Sequence, residues 1–178
     1  MPIVGLDNAG KTTLLEQAKA LFNRTDSRRM SIDKIPPTIG MNSELRPQTP
    51  GFVSVRQSLM RCCVPAVAKM DIAGSTVTFW DLGGHMKRIW KQYYEDANGI
   101  ICVLDATDDG RLAEVKTVIR EILQTPELSR KPLLVLANKR DIPGSHDAAF
   151  VTQHILPDLA ERRKERAIRI LAVSALSW

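Results

Sequence analysis

The sequence predicts an α/β domain, a mostly parallel sheet covered by helices on both faces. Three observations predict it. Short apolar runs alternate with longer amphipathic ones along the 178 residues. Several apolar runs are rich in Val and Ile and end in Gly, Asp or Asn, as buried strands do. A glycine-containing turn separates the first apolar run from the first amphipathic one. Right-handed crossovers then place the strand C-termini along one edge, where such folds bind ligands.

In chain order, the expected strands are Met1–Val4, Asn42–Arg46, Thr76–Trp80, Ile100–Leu104, Leu133–Ala137 and Ile168–Val173. Helical periodicity runs through Thr12–Phe22, where Leu14, Leu15, Ala18, Leu21 and Phe22 form one stripe. It recurs in Arg111–Leu123, through Leu112, Val115, Ile119, Ile122 and Leu123. Pro47–Met70 breaks the rhythm, with three prolines, Arg56, Arg61, Lys69 and no acid. It reads as a long insertion in the hairpin between Asn42–Arg46 and Thr76–Trp80. The expectation is one domain over residues 1–178, with that insertion at about 47–70 and no repeats.

Hydrophobic residues make up 44% of the chain, which suits a packed core rather than disorder. The net charge of +5 permits attraction to anionic phosphates or a membrane surface and establishes neither. The three cysteines, Cys62, Cys63 and Cys102, form neither a disulfide framework nor a zinc spacing. No apolar run is long enough to span a bilayer, no signal segment opens the chain, and Pro2 breaks the myristoylation pattern. These tests predict a cytoplasmic chain, or one peripheral to a membrane. The basic stretch Arg162–Arg166 lacks interleaved aromatics, so no nucleic-acid partner is expected.

Gly5-Leu6-Asp7-Asn8-Ala9-Gly10-Lys11-Thr12 fits G-x-x-x-x-G-K-[ST] between a strand and a helix. Glycines let the backbone curl so that successive N–H groups converge on phosphate oxygens, and the helix adds its positive end. Lys11 would reach the β- and γ-phosphates, and the Thr12 hydroxyl would ligate Mg²⁺. The loop alone does not tell ATP from GTP. Asn138-Lys139-Arg140-Asp141 follows the fifth apolar run. The Asp141 carboxylate can accept from the N1–H and N2–H₂ edge of guanine, a donor pair adenine lacks. The Lys139 stem can cover one face of the base. Asp81-Leu82-Gly83-Gly84 follows the Thr76–Trp80 strand. Asp81 can hold Mg²⁺ through a water, and Gly84 can bring its N–H to the γ-phosphate. Hydrolysis would release that loop, which is the physical content of a switch. In Pro36-Pro37-Thr38, Thr38 is placed to ligate Mg²⁺ and meet the γ-phosphate. Ser174-Ala175 closes the last strand, where the Ala175 N–H can donate to guanine O6.

These five motifs in this order resemble a small GTPase of the Arf family, and so a P-loop NTPase fold. Gly5 to Thr13 resembles its P-loop, Thr38-Ile-Gly-Met-Asn42 its switch I, and Trp80-Asp81-Leu-Gly-Gly84 with Trp90-Lys-Gln-Tyr93 its switch II. Leu15-Glu-Gln-Ala-Lys19, Phe22-Asn23, Met30-Ser31 and Asp105 to Leu112 are most similar to the Arf-related protein branch. The resemblance implies a GTP/GDP switch with Mg²⁺, working at Golgi-type membranes in vesicle-mediated protein transport. It implies an exchange factor, a GTPase-activating protein and effectors. It carries an effector patch over to Met41, Trp80 and Tyr93, with Met41 replacing an aromatic.

The chain also departs from that pattern. His85 stands where the family has a water-positioning Gln. Neutral imidazole can accept from water, so His85 and Lys11 are the expected catalytic residues, with slow, pH-dependent intrinsic hydrolysis. The family's N-terminal membrane helix and closing C-terminal helix are expected to be curtailed. Basic residues with Cys62 and Cys63 in the insertion allow membrane contact or palmitoylation. Three readings stay open: a hydrolysing switch, a nucleotide-binding interaction module without turnover, and a P-loop kinase or ATPase, which Asn138–Asp141 argues against.

Overall fold

A computed structural model of the protein describes residues 1–22, 65–155, 164 and 166–176. Six strands form one sheet: β1 (Pro2–Val4), β2 (Ala66–Ile72), β3 (Ser75–Asp81), β4 (Ile100–Asp105), β5 (Leu133–Asn138) and β6 (Ile168–Ala172). Their spatial order is β2-β3-β1-β4-β5-β6. β2 and β3 are antiparallel, and the other neighbours are parallel. The order reverses direction around β1, so its C-terminal end opens onto the crevice where α/β sheets hold ligands. All five expected strands within the described residues are present. The candidate strand Asn42–Arg46 lies outside them.

The expected insertion needs correcting at its end. Ala66–Met70 is not loop but the first five residues of β2, paired from Ala66↔Asp81 to Met70↔Val77. Ala68 and Met70 point inward while Val67, Lys69 and Asp71 are exposed. Small alanines at two of these positions, directly after Pro65, make that period-2 alternation faint in the sequence. Residues 47–64, with Cys62 and Cys63, lie outside the described residues.

Among the described residues four α-helical segments accompany the sheet: α1 (Lys11–Phe22), α2 (Lys87–Trp90), α3 (Leu112–Gln124) and α4 (Ala148–Phe150). The Asp108 carboxylate accepts from the Arg111 N–H at 3.2 Å and caps the tight turn that feeds α3. α3 ends where Thr125 turns extended ahead of Pro126, as a residue preceding proline must.

β4 is buried along its whole length. Its Ile100, Cys102 and Leu104 meet Val115, Val118, Ile119 and Ile122 of α3. Its Ile101 and Val103 join Leu15 of α1, with Met70, Phe79 and Leu136, on the other face. A strand buried on both faces is why this run reads as continuously apolar. Leu171, opposite Leu136 in register, is exposed. No helix among the described residues is long and apolar enough to cross a membrane.

Ile119 sits at the centre of the α3 face, 1% exposed. Ile119→Ala is expected to remove about 2–5 kcal/mol of unfolding free energy, read as a lower urea midpoint at unchanged slope. A loss under about 1 kcal/mol would contradict close packing there.

Candidate functional site

The loop from Gly5 to Gly10 leaves β1 and enters α1, whose first bond is the Leu14 N–H to the Gly10 carbonyl at 2.9 Å. Gly5 has φ +142°, and a Cβ there would sit 2.0 Å from the Val103 carbonyl oxygen. Only glycine lets the end of β1 lie this close to β4 while the chain turns. Leu6 and Ala9 are buried and anchor the loop from below, while Asn8 is exposed. Thr13 is half-buried on α1.

Lys11 is 5% exposed, and its ammonium donates to the Gly5 carbonyl at 3.0 Å and the Leu6 carbonyl at 2.7 Å. Two of its three N–H groups thus brace the loop, which leaves one for a phosphate oxygen. The Thr12 hydroxyl donates to Asp81 Oδ2 at 2.5 Å.

Asn138, 1% exposed, ties the site together. Its Nδ2 donates to the Ala9 carbonyl at 2.8 Å, and its Oδ1 accepts from the Ala175 N–H at 2.9 Å. One side chain therefore joins the phosphate loop, the end of β5 and the turn after β6. The Ala175 N–H, expected to meet guanine O6, donates here to the buried Asn138 amide oxygen.

The Ser174 hydroxyl donates to Asp141 Oδ1 at 2.5 Å. It fixes the carboxylate while Oδ2 and the remaining lone pair of Oδ1 are left to meet a base edge. Lys139 lies in left-handed backbone, φ 72°, and its ammonium pairs with Asp105 Oδ2 at 2.6 Å. Asp105 also accepts from the Thr107 N–H and hydroxyl. Burial would raise the Asp105 carboxyl, but the bonds from Lys139 and Thr107 outweigh it and hold the group below the ordinary carboxylate value.

Beyond Asp81 the chain turns tightly through Gly84–Met86 into α2, and Trp90 Nε1 donates back to the Gly83 carbonyl at 3.0 Å. Gly84 is pressed onto the phosphate loop, where a Cβ would lie 2.2 Å from the Asp7 nitrogen. His85 therefore faces the loop, with Nε2 3.7 Å from Asp7 Oδ2. Asp7 Oδ1 pairs with Arg111 Nη1 at 3.1 Å, and Arg111 Nη2 donates to the Asp7 carbonyl at 3.3 Å. Arg111 in turn meets Asp108 through Nε at 2.5 Å.

Asp105, Asp108 and Arg111 were not singled out as site residues in the sequence, whereas Ser174 was. Asp105 carried a faint signal, a carboxylate at the end of a buried strand. Arg111 carried none, because it meets Asp7 across 104 residues of chain. Thr38 and Met41 lie outside the described residues. Trp80 and Tyr93 come together with ring centroids 6.3 Å apart and rest on the α3-side core. Cys102 is buried, and that burial pushes its thiol up to about 12, so it is an inert packing group.

The loop is electrostatically unfinished. Burial lowers the Lys11 ammonium from its ordinary value, against opposing pulls from Asp81, Cys102 and Asp7. Burial raises the Asp81 carboxyl, against the Thr12 bond and Lys11. Asp81 Oδ1 is buried with no hydrogen-bond partner. A buried carboxylate oxygen without a donor, beside a threonine hydroxyl, fits a hydrated hard cation. The residues present thus suit Mg²⁺, with Thr12 as ligand and Asp81 acting through water. No group of three or more His, Cys, Asp or Glu suited to a metal occurs among the described residues.

The model of the ADP-ribosylation factor family matches residues 56–177. Human ADP-ribosylation factor-related protein 1 is 37% identical over 142 residues, covering 79% of this chain and 58% of that protein. The matched part of the chain thus spans little more than half the length of that relative. ADP-ribosylation factor-like protein 3 of Saccharomyces cerevisiae is 32% identical over 177 residues, covering 98% of this chain and 76% of that protein. The solved structure of the Arl6 BBS3 small GTPase from Trypanosoma brucei, with bound nucleotide analogue GppNp, matches with TM-score 0.65 and 24% identity. It covers 99% of this chain and 87% of that one, a likeness of fold.

The raised Asp81 carboxyl sets a pH dependence. A carboxyl raised in the folded state contributes stability below its unfolded pKa, and that contribution is lost as pH rises through the folded value. In chelator, the thermal midpoint relative to Asp81→Asn should therefore fall as pH rises from about 4 upward. Asn keeps an acceptor for Thr12 and carries no charge. A constant difference across that range would show that Asp81 is not strained by burial.

Proposed function

The chain belongs to the ADP-ribosylation factor family, and we propose that it is a guanine-nucleotide switch that binds GTP and GDP with Mg²⁺ and hydrolyses GTP. One observation carries this reading. The buried Asn138 amide joins the phosphate loop to the base-reading turn and to the Ser174–Ala175 turn. The parts that would grip a phosphate chain and a base are thereby assembled at one edge of the sheet.

Each residue's part follows from its surroundings. The loop N–H groups and the start of α1 converge on the phosphates, and the remaining N–H of Lys11 adds a charge-assisted bond. Ser174 holds Asp141 in place to accept from the guanine edge. Asp105 pins the Lys139 ammonium, which leaves its stem to lie along the base. Thr12 and Thr38 would hold Mg²⁺ directly and Asp81 through water. Bound there, Mg²⁺ neutralises charge on the β- and γ-phosphate oxygens. Gly84, with no side chain between it and the loop, can carry the segment from Asp81 to His85 toward the γ-phosphate. His85 would orient the attacking water, and loss of the γ-phosphate would free the segment.

The Arf-related resemblance supports a place at Golgi-type membranes, in vesicle-mediated transport. There an exchange factor would load the switch, an activating protein would discharge it, and effectors would read it near Trp80 and Tyr93.

The test is nucleotide affinity with Mg²⁺ for GTP, GDP and ATP, with Asp141→Asn alongside. Guanine nucleotides should bind and ATP should not. The variant should lose at least about tenfold, the worth of a hydrogen bond to a charged group. ATP bound as tightly as GTP would overturn the reading in favour of a kinase or ATPase. The His85 replacement favours one second reading, a binding module without turnover. Bound GTP that stays intact even with an activating partner would establish it.

A further inference from the structure

Asp7 stands between a guanidinium and an imidazole. One carboxylate oxygen is 3.1 Å from Arg111 Nη1, and the other is 3.7 Å from His85 Nε2. Arg111 is itself held twice, by Asp108 through its Nε and by the Asp7 carbonyl through Nη2. Gly84 packs against the Leu6–Asp7 backbone, so the turn bearing His85 is seated on the residue that bears the carboxylate. Lys87, the other charged group on that turn, is turned away and paired with Glu114 of α3 at 2.7 Å.

We propose that Asp7 is a positioning residue for hydrolysis: its carboxylate holds the His85 ring from the Nε2 side, Arg111 holds the carboxylate, and Nδ1 is left to accept from the attacking water. The inference rests on His85 orienting that water. A neutral imidazole carries one N–H, and a carboxylate beside Nε2 favours the proton there. The present 3.7 Å spacing is an ion-pair distance. It becomes a hydrogen bond when the turn closes by roughly 0.5–1 Å, as such contacts do on loading.

In the step served, the water oxygen bonds to the γ-phosphorus while the bond to the β–γ bridging oxygen breaks. The bond pair leaves with GDP, and both water protons end on the inorganic phosphate, released as H₂PO₄⁻. The imidazole orients and keeps no proton. The imidazolium form has no lone pair to offer, so the rate rises with pH as His85 loses its proton. The His85 and Asp7 side chains are 58% and 44% exposed, so water screens the pair.

The experiment measures single-turnover hydrolysis of bound GTP against pH. In parallel, the tautomer of the neutral His85 ring is read from its nitrogen resonances by NMR, assigned by their loss in His85→Gln. The variants are Asp7→Asn, Asp7→Ala and Arg111→Gln. Asp7→Ala should shift the ring away from the Nε2–H tautomer, Asp7→Asn less so, and Arg111→Gln, which frees the carboxylate, in the same direction. Asp7→Ala should also cut the high-pH plateau rate by about tenfold, with Asp7→Asn retaining more because its amide oxygen still accepts. A tautomer ratio unmoved in all three variants, or a wild-type plateau in Asp7→Ala, would overturn the proposal. If wild-type hydrolysis does not change with pH and survives His85→Ala, the His85 reading itself fails. The proposal then falls with it, whatever the NMR tautomer ratio does.

Discussion

The buried Asn138 amide is the constraint on which the rest of the site depends. An amide enclosed at the end of β5 must satisfy both its donor and its acceptor within the protein. It does so by reaching the Ala9 carbonyl in one direction and the Ala175 N–H in the other. Three turns, separated by most of the chain, are held in register as a consequence. Lys139 and Asp141 follow directly, so the base-reading groups inherit their place from it. Asp105 and Ser174 then fix those two side chains individually.

Around this clip the protein buries charge that it does not fully compensate. Lys11 braces its own loop carbonyls and keeps an N–H in hand, while Asp81 keeps a buried oxygen without a donor. Burial works against both charges. A phosphate chain and a hydrated cation would relieve both at once. Binding energy in such a site comes as much from ending that strain as from new contacts.

The second half of the site hangs on the first. Gly84 rests on the loop backbone, and His85, Asp7 and Arg111 form a chain of charges from the turn after β3 to the start of α3. A neutral imidazole at position 85 can donate from one nitrogen and accept at the other, so a carboxylate on one side leaves the second nitrogen free.

Much of this was legible in the sequence because it is local. The Gly5–Thr12 spacing, the apolar runs and the Asn138–Asp141 turn are each written in a few adjacent residues, and their order implied the parallel sheet. Backbone sterics and side-chain period decide such features within a window of a few residues. The β2 start was misread because Ala66 and Ala68 give a weak alternating signal, and strand identity there comes from pairing with β3. The partner of the Ala175 N–H, the pinning of Lys139 by Asp105 and the Asp7–Arg111–His85 chain were decided only by tertiary structure. The chain's own sequence named the groups that can donate, accept or carry charge. Which of them meet depends on distances across the fold, up to 104 residues apart in the chain, and no local pattern encodes those distances.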